Sequence, residues 1–412
     1  MTHRPKPAPA LFAPALPATH EGATGTGEHG EHSYAQWVRR MIRAMRTDRN
    51  LLIPLFESSV AEPLALLHPI IADAFGRDAI SSRYTSAFAS GNPFVVDMLT
   101  ERYGVGRDHV LCTTGATGAL SLLYRALVRP GERILIENPC FDLFHTIARL
   151  HGYGVDRFER DGDTFALRPD AVAAAITPET RLIVLSNLHN PSGVASDGET
   201  LAAIGRIAQA HGIPVVVDEV YGDYAPPELR PPHAAALSPA CISVSSLTKS
   251  HGLSTLRCGW IVAAPDVLAP VRAFAEESEF GVSNLAHAIA ALVLEREPVF
   301  AEHRDRIMRN ARPILASYHD HWRAEELVRG ELPPFGCTIF PRLVGISDTL
   351  AFSEWLADRC GVLVAPGEYF GAPGHIRIGF AQSPADLDYG LQALTDGLRT
   401  WRDIQTTRKE TA

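Results

Sequence analysis

SSLTKSHGLSTLRCGW, running from Ser245 to Trp260, sets a single lysine, Lys249, among hydroxyls and glycines, with Arg257 following in the same stretch. The flanking runs decide how it sits. Cys241-Ile242-Ser243-Val244 before it and Cys258-Gly259-Trp260-Ile261-Val262-Ala263-Ala264 after it are short and apolar, and read as buried strands. Lys249 therefore stands at a strand end. A lysine amine whose surroundings favour the neutral form attacks carbonyls and can hold an aldehyde cofactor as a Schiff base. Ser246 offers a hydroxyl and Arg257 a bidentate fork, both suited to a phosphate. The same Lys-Ser pair in an isolated polar loop would read as surface.

Outward from this stretch, Val110 to Ala264 alternates apolar runs with segments of helical period, the pattern of an α/β fold with a mostly parallel sheet between helices. Strands are expected at Val110 to Thr113, Arg133 to Glu137, Arg181 to Leu185 and Pro214 to Asp218. Ligands of such sheets bind beyond the carboxyl ends of the strands, so the residues that follow these runs should converge on one crevice. After Val299 a long charged helix is expected through Tyr318. A smaller α+β unit should follow, with strands at Cys337 to Pro341, Val362 to Val364 and Ile376 to Gly379. The helical segment Tyr34 to Arg46 has no place in the large sheet and is expected to join this unit. The resulting division is a tail at 1–32, a small domain from 33–75 with 305–405, a large domain at 76–304, and a second tail at 406–412.

With 412 residues and 46% of them hydrophobic, the chain can bury a core large enough for two domains. A net charge of −9 and the lack of a basic run argue against a nucleic-acid partner. No apolar stretch approaches the roughly 20 residues that span a bilayer. The six cysteines form no Cys-x-x-Cys pair, which suits reduced thiols, no metal and a cytoplasmic location. Pro7, Pro9, Pro14 and Pro17 interrupt the apolar helix that a secretion signal would need, so residues 1–32 read as a disordered tail.

Three further stretches carry chemistry. Thr113-Thr114-Gly115-Ala116-Thr117-Gly118 follows a strand and opens an apolar helix through Val128. The free amides at Ala116 and Thr117, the Thr117 hydroxyl and the helix dipole would all favour a phosphate there. Asn190 stands before Pro191-Ser192-Gly193 at another strand end, where its amide can donate to a phenolate oxygen. Asp218 closes the apolar run Val215-Val216-Val217. A carboxylate is costly to bury there without a cationic partner, and a protonated pyridine nitrogen would serve.

Asn190-Pro191-Ser192-Gly193, Asp218-x-x-Tyr221, Ser246-x-x-Lys249 with Arg257, and Ile376-Arg377-Ile378-Gly379-Phe380 occur in the order and spacing of the class I and II aminotransferases. From roughly Leu51 to Trp401 the chain resembles a fold-type-I pyridoxal phosphate enzyme. The resemblance implies that Lys249 binds the cofactor and then moves the substrate Cα proton, while Asp218 keeps the ring nitrogen protonated. It implies that Asn190 and Tyr221 bind the ring's 3-oxygen and that Phe141 stacks on the ring. Ala116, Thr117, Ser246 and Arg257 would hold the phosphate, and Arg377 would clamp the substrate carboxylate. Tyr84 resembles a tyrosine contributed by the neighbouring subunit, which implies a homodimer with a shared site.

Where many relatives carry a glycine-containing turn near the start, this chain has Phe56-Glu57-Ser58-Ser59. With Glu57 or Ser58 facing the cofactor, the substrate could be polar or cationic; otherwise Glu57 caps or solvates the turn. The expected activity is ping-pong transamination between an L-amino acid and a 2-oxo acid. Elimination of a β or γ substituent, or ring closure, as in lyase and cyclase relatives, is the alternative that the shared residues leave open. Regulators that carry a similar domain behind a winged helix need roughly 60 to 70 ordered residues ahead of it, which a short proline-rich tail does not supply.

Overall fold

The computed structural model describes residues 33–47, 52–76, 80–88, 90–279 and 281–410. The tail expected at 1–32 lies outside them, as do Leu51 and residues 411–412.

Seven strands form the main sheet: β1 (Val110–Thr114), β2 (Arg133–Asn138), β3 (Gly154–Glu159), β4 (Thr180–Ser186), β5 (Val215–Asp218), β6 (Cys241–Ser246) and β7 (Cys258–Val262). Their order across the sheet is β1-β7-β6-β5-β4-β2-β3. β7 runs antiparallel to both its neighbours, and the other pairings are parallel. The apolar runs are continuous because both faces of the sheet are covered. Ile134, Ile136, Val184, Val216 and Val244 face one core with Leu120, Leu123 and Phe144. Leu135, Ile183, Leu185, Val215 and Val217 face a second, with Leu201 and Ile204. Each such side chain stabilises the fold by about 1.5 to 3 kcal/mol through burial.

β3 escaped the sequence reading. It is an edge strand, Gly-Val-Asp-Arg-Phe-Glu, in which Phe158 alone is fully buried, so it lacks the unbroken apolar run of its neighbours.

Beyond the sheet, the helices Glu297–Ala324 and Pro384–Glu410 pack together, and Trp322 Nε1 donates to Thr395 Oγ1 at 2.7 Å. The first extends the expected charged helix at both ends. The second passes residue 405, where a tail was expected. Short strands β8 (Val328–Arg329) and β10 (Arg342–Leu343) pair with each other, while β9 (Thr338–Ile339), β11 (Ala365–Pro366) and β12 (Ile376–Gly379) form a three-stranded sheet with β12 at its centre. The strand expected at Val362 to Val364 is displaced to Ala365–Pro366. Those valines are buried by packing, and only Val362 joins a bridge, with Ile53. The helix Tyr34–Thr47 packs here too, its Tyr34, Trp37 and Met41 buried with Phe340, Leu363 and Phe370.

Candidate active site

The carboxyl ends of β4, β5 and β6 deliver Asn190, Asp218 and Lys249 to one place. β12 brings Arg377 to it from the other sheet. The turn 56–58 crosses between them, locked by Gly379 N–H donating to the Leu55 carbonyl at 2.6 Å. A Cβ at Gly379 would lie 1.6 Å from the Glu57 carbonyl oxygen, so only glycine lets this strand and turn approach so closely.

Lys249 is half-buried, and its Nζ donates to Ser58 Oγ at 3.1 Å. Tyr221 OH donates to the same oxygen at 2.9 Å. The Lys249 carbonyl accepts from Tyr224 OH at 2.9 Å, which fixes the backbone. Burial, then the nearby Arg377 guanidinium, holds the lysine pKa below its ordinary value. The amine is thereby moved toward its nucleophilic form.

Asp218 is 5% exposed and accepts from Val220 N–H at 3.2 Å. Burial pushes its carboxyl up to about 7, against the opposing pull of that N–H and of Lys249. A cation set against it would return it to the carboxylate. Tyr221 is raised as well, chiefly by burial.

Arg377 is 1% exposed and its hydrogen-bond partners are all neutral. Nη1 donates to Asn190 Oδ1 at 2.9 Å, and Nη2 donates to the Phe56 carbonyl at 3.0 Å and to the Tyr34 hydroxyl. The guanidinium carbon lies 5.3 Å from the Tyr34 ring centre and 4.9 Å from that of Phe370. Asn190 was expected to act as a donor. Here its amide oxygen is taken by Arg377, so donation falls to its NH2 group. Its backbone N–H donates to Ser186 Oγ at 3.0 Å, and Ser186 Oγ in turn donates to Glu137 Oε1 at 2.6 Å. Glu137 is paired with Arg160 at 2.7 Å, both fully buried.

Beyond the carboxyl end of β1, Gly115 opens the helix Gly115–Leu127 with a φ of 72°, and Thr114 makes no side-chain cap. Ala116 and Thr117 are half-buried on its first turn. Arg257, exposed and itself left-handed at φ 47°, lies over Gly115: a Cβ there would sit 2.6 Å from Arg257 Nη2. Gly259 on β7 meets the same turn, and its Cβ would fall 2.4 Å from the Gly115 carbonyl carbon. Ser246 is buried and accepts from Thr248 N–H at 3.3 Å. Phe141 is half-buried and meets Tyr34 edge-on at 6.0 Å.

Two expected residues join none of these hydrogen bonds. Glu57 is exposed as a residue but its carboxyl is partly desolvated, which raises it, and lies near enough to Lys249 for the amine to oppose this; it is Ser58 that bonds Lys249. Tyr84 is 45% exposed against Phe75 and joins none of these contacts. Tyr34 was missed, since a tyrosine opening a helix 343 residues away from Arg377 carries no local signal of meeting it.

This donor set fits pyridoxal phosphate. Asp218 is a buried carboxyl short of a cation, Lys249 is an amine held toward neutrality, and the Gly115 turn with Arg257 is a cradle that a single Cβ would fill. The comparisons agree. The model of the family "Aminotransferase class I and II" matches residues 79–394. Capreomycidine synthase of Streptomyces vinaceus is 30% identical over 72% of this chain and 76% of its own. The arginine–pyruvate transaminase of Pseudomonas aeruginosa is 28% identical over 67% and 71%. The crystal structure of a PLP-dependent aminotransferase from Streptococcus suis superposes with a TM-score of 0.75 at 25% identity, covering 87% of this chain and 96% of that one. The chain belongs to the class I and II aminotransferases, the pyridoxal phosphate-dependent enzymes of fold type I.

Proposed function

We propose that this enzyme moves the α-amino group of an L-amino acid to a 2-oxo acid, using one site for both half-reactions. The observation that carries this reading is Arg377, a buried guanidinium with only neutral partners, set close enough to Lys249 to lower the lysine pKa. A substrate carboxylate would supply its missing counter-charge, and would bring Cα to the amine. When bound, pyridoxal phosphate supplies an aldehyde for Lys249 and an electron sink for the deprotonated Cα.

The chain's own residues do the rest. Lys249 Nζ takes the Cα proton and returns it. Asp218 holds a proton on the pyridine nitrogen. Tyr221 and the Asn190 NH2 group would hold the ring's 3-oxygen, and Phe141 would supply an aromatic face for the ring. Ala116, Thr117, Ser246 and Arg257 hold the phosphate. Ser58 Oγ accepts from both Lys249 and Tyr221 and so fixes their relative positions. Glu57, exposed beside this turn, gives the pocket an acidic rim suited to a polar or cationic side chain.

We further infer a homodimer in which Tyr84 reaches the partner's phosphate site; its exposure away from its own site supports this. The separate core around Trp322 and Phe352 supports a small domain of 33–75 with 305–405 beside a large one at 76–304. Six free cysteines support a cytoplasmic location; among the described residues, no helix is long and apolar enough to cross a membrane.

The test is to mix the holoenzyme with pools of amino acids and identify products by mass spectrometry. Stoichiometric 2-oxo acid with aminated cofactor supports transamination. Ammonia, a released substituent or a cyclised product with unchanged cofactor would replace it with the lyase or cyclase reading.

A further inference from the structure

The donors of Arg377 are unevenly committed. Nη2 gives both its protons, one to the Phe56 carbonyl and one to the Tyr34 hydroxyl. Nη1 bonds Asn190 Oδ1, and the buried Nε–H has no partner among the described residues. A carboxylate grips a guanidinium at two points across an edge, either Nη1 with Nη2 or Nε with Nη2. Both edges contain Nη2. A two-point grip on this arginine therefore requires Nη2 to release one of its present acceptors.

The two acceptors differ in how readily they can leave. Phe56 is backbone, in the turn that Gly379 N–H pins through Leu55. The Tyr34 hydroxyl is the tip of a side chain on the helix Tyr34–Thr47. That helix docks through a Tyr34 N–H bond to Asp142 Oδ2 at 3.2 Å and through ring contacts with Phe141, Tyr369 and Phe370 at 5.4 to 6.0 Å. A hydrogen bond from a guanidinium to a neutral phenol is weaker than one to a carboxylate, so the exchange runs toward the carboxylate.

We infer that the Tyr34 hydroxyl is an internal stand-in for the substrate carboxylate: it occupies Nη2 of Arg377 in the free enzyme and yields it when an amino or oxo acid arrives. Tyr34 is thus a positioning residue, acting through Arg377, that lowers the affinity of the site for every carboxylate ligand, and it ties the docking of the N-terminal helix to substrate entry. This rests on Arg377 being the carboxylate site.

Tyr34→Phe keeps the ring and its stacking but removes the acceptor. Butanoate, which carries no amino group, should then bind the holoenzyme about ten-fold more tightly than it binds the unsubstituted protein, the size of one net hydrogen bond, as read by calorimetry. Neutral butanamide should bind both proteins equally. Unchanged or weaker butanoate binding to Tyr34→Phe would overturn the inference, the weaker case making Tyr34 a partner of the carboxylate. Arg377→Met separates the two readings. If it abolishes butanoate binding while Tyr34→Phe changes nothing, Tyr34 alone is misassigned; if it leaves binding intact, the carboxylate site and its stand-in fall together.

Discussion

Asp218 should cost the cofactor-free protein stability at neutral pH, and Asp218→Asn should recover it. Burial raises the carboxyl from an ordinary 3.8 to about 7, and among the described residues its hydrogen bond comes from the Val220 N–H at 3.2 Å. Below pH 3.8 both folded and unfolded chains hold the proton, and no penalty exists. Between 3.8 and about 7 the unfolded chain has ionised while the folded one has not, so stability falls as pH rises. Above about 7 both are ionised and the penalty is complete, at about 4 kcal/mol for a displacement of this size. Asparagine keeps the oxygen that accepts from Val220 and never ionises. The variant apoprotein should therefore gain several kcal/mol over wild type at pH 8 and almost nothing at pH 4, measured by urea unfolding. Binding of the cofactor should reverse the ranking, since Asp218 then has its cation and asparagine cannot hold the ring proton. A variant apoprotein no more stable than wild type at pH 8 would refute the account of Asp218 as a carboxylate kept for an absent partner.

Other expectations are as direct. Lys249→Ala should abolish both turnover and the visible absorbance of the holoenzyme; a wild-type protein that stays colourless with added pyridoxal phosphate would count against Lys249 as the attachment point. Arg377→Ala should raise the KM for amino and oxo acids by roughly thirty-fold or more, the equivalent of about 2 to 4 kcal/mol for a buried charged contact, whereas an unchanged KM would move the carboxylate elsewhere. Glu137→Gln breaks the buried pair with Arg160 and should lower stability by about 3 to 5 kcal/mol in urea melts. Gly259→Ala would drive a methyl into the backbone of the Gly115 turn and should weaken cofactor retention on dialysis as well as lower the melting temperature. Equal retention would show that this turn does not hold the phosphate.

Much of the site was legible because its residues follow apolar runs. Asn190 and Asp218 sit just past or at the end of strands whose both-sided burial shows up as unbroken valine, isoleucine and leucine, while Lys249 and the Gly115 turn follow the short, mostly apolar runs Cys241-Ile242-Ser243-Val244 and Val110-Leu111-Cys112. Arg377 was legible for a related reason: its apolar neighbours Ile376 and Ile378 mark a buried strand. β3 was not, because an edge strand needs only one apolar face, and here only Phe158 is fully buried. The 56–58 turn lies between these cases. Its unusual hydroxyls and acid were visible as a departure, but which of them meets the lysine depends on how the turn is held against Gly379.

The sequence by itself determined six of the seven strands of the main sheet and placed Lys249, Asp218 and Asn190 at or beyond strand ends, since these follow from local periodicity. Only the tertiary structure decided that Ser58 would bond both Lys249 and Tyr221, and that Tyr34 would take up Arg377 from 343 residues away. These are contacts between elements distant in the chain. They arise from how separate cores dock, and no pattern within either element records its partner.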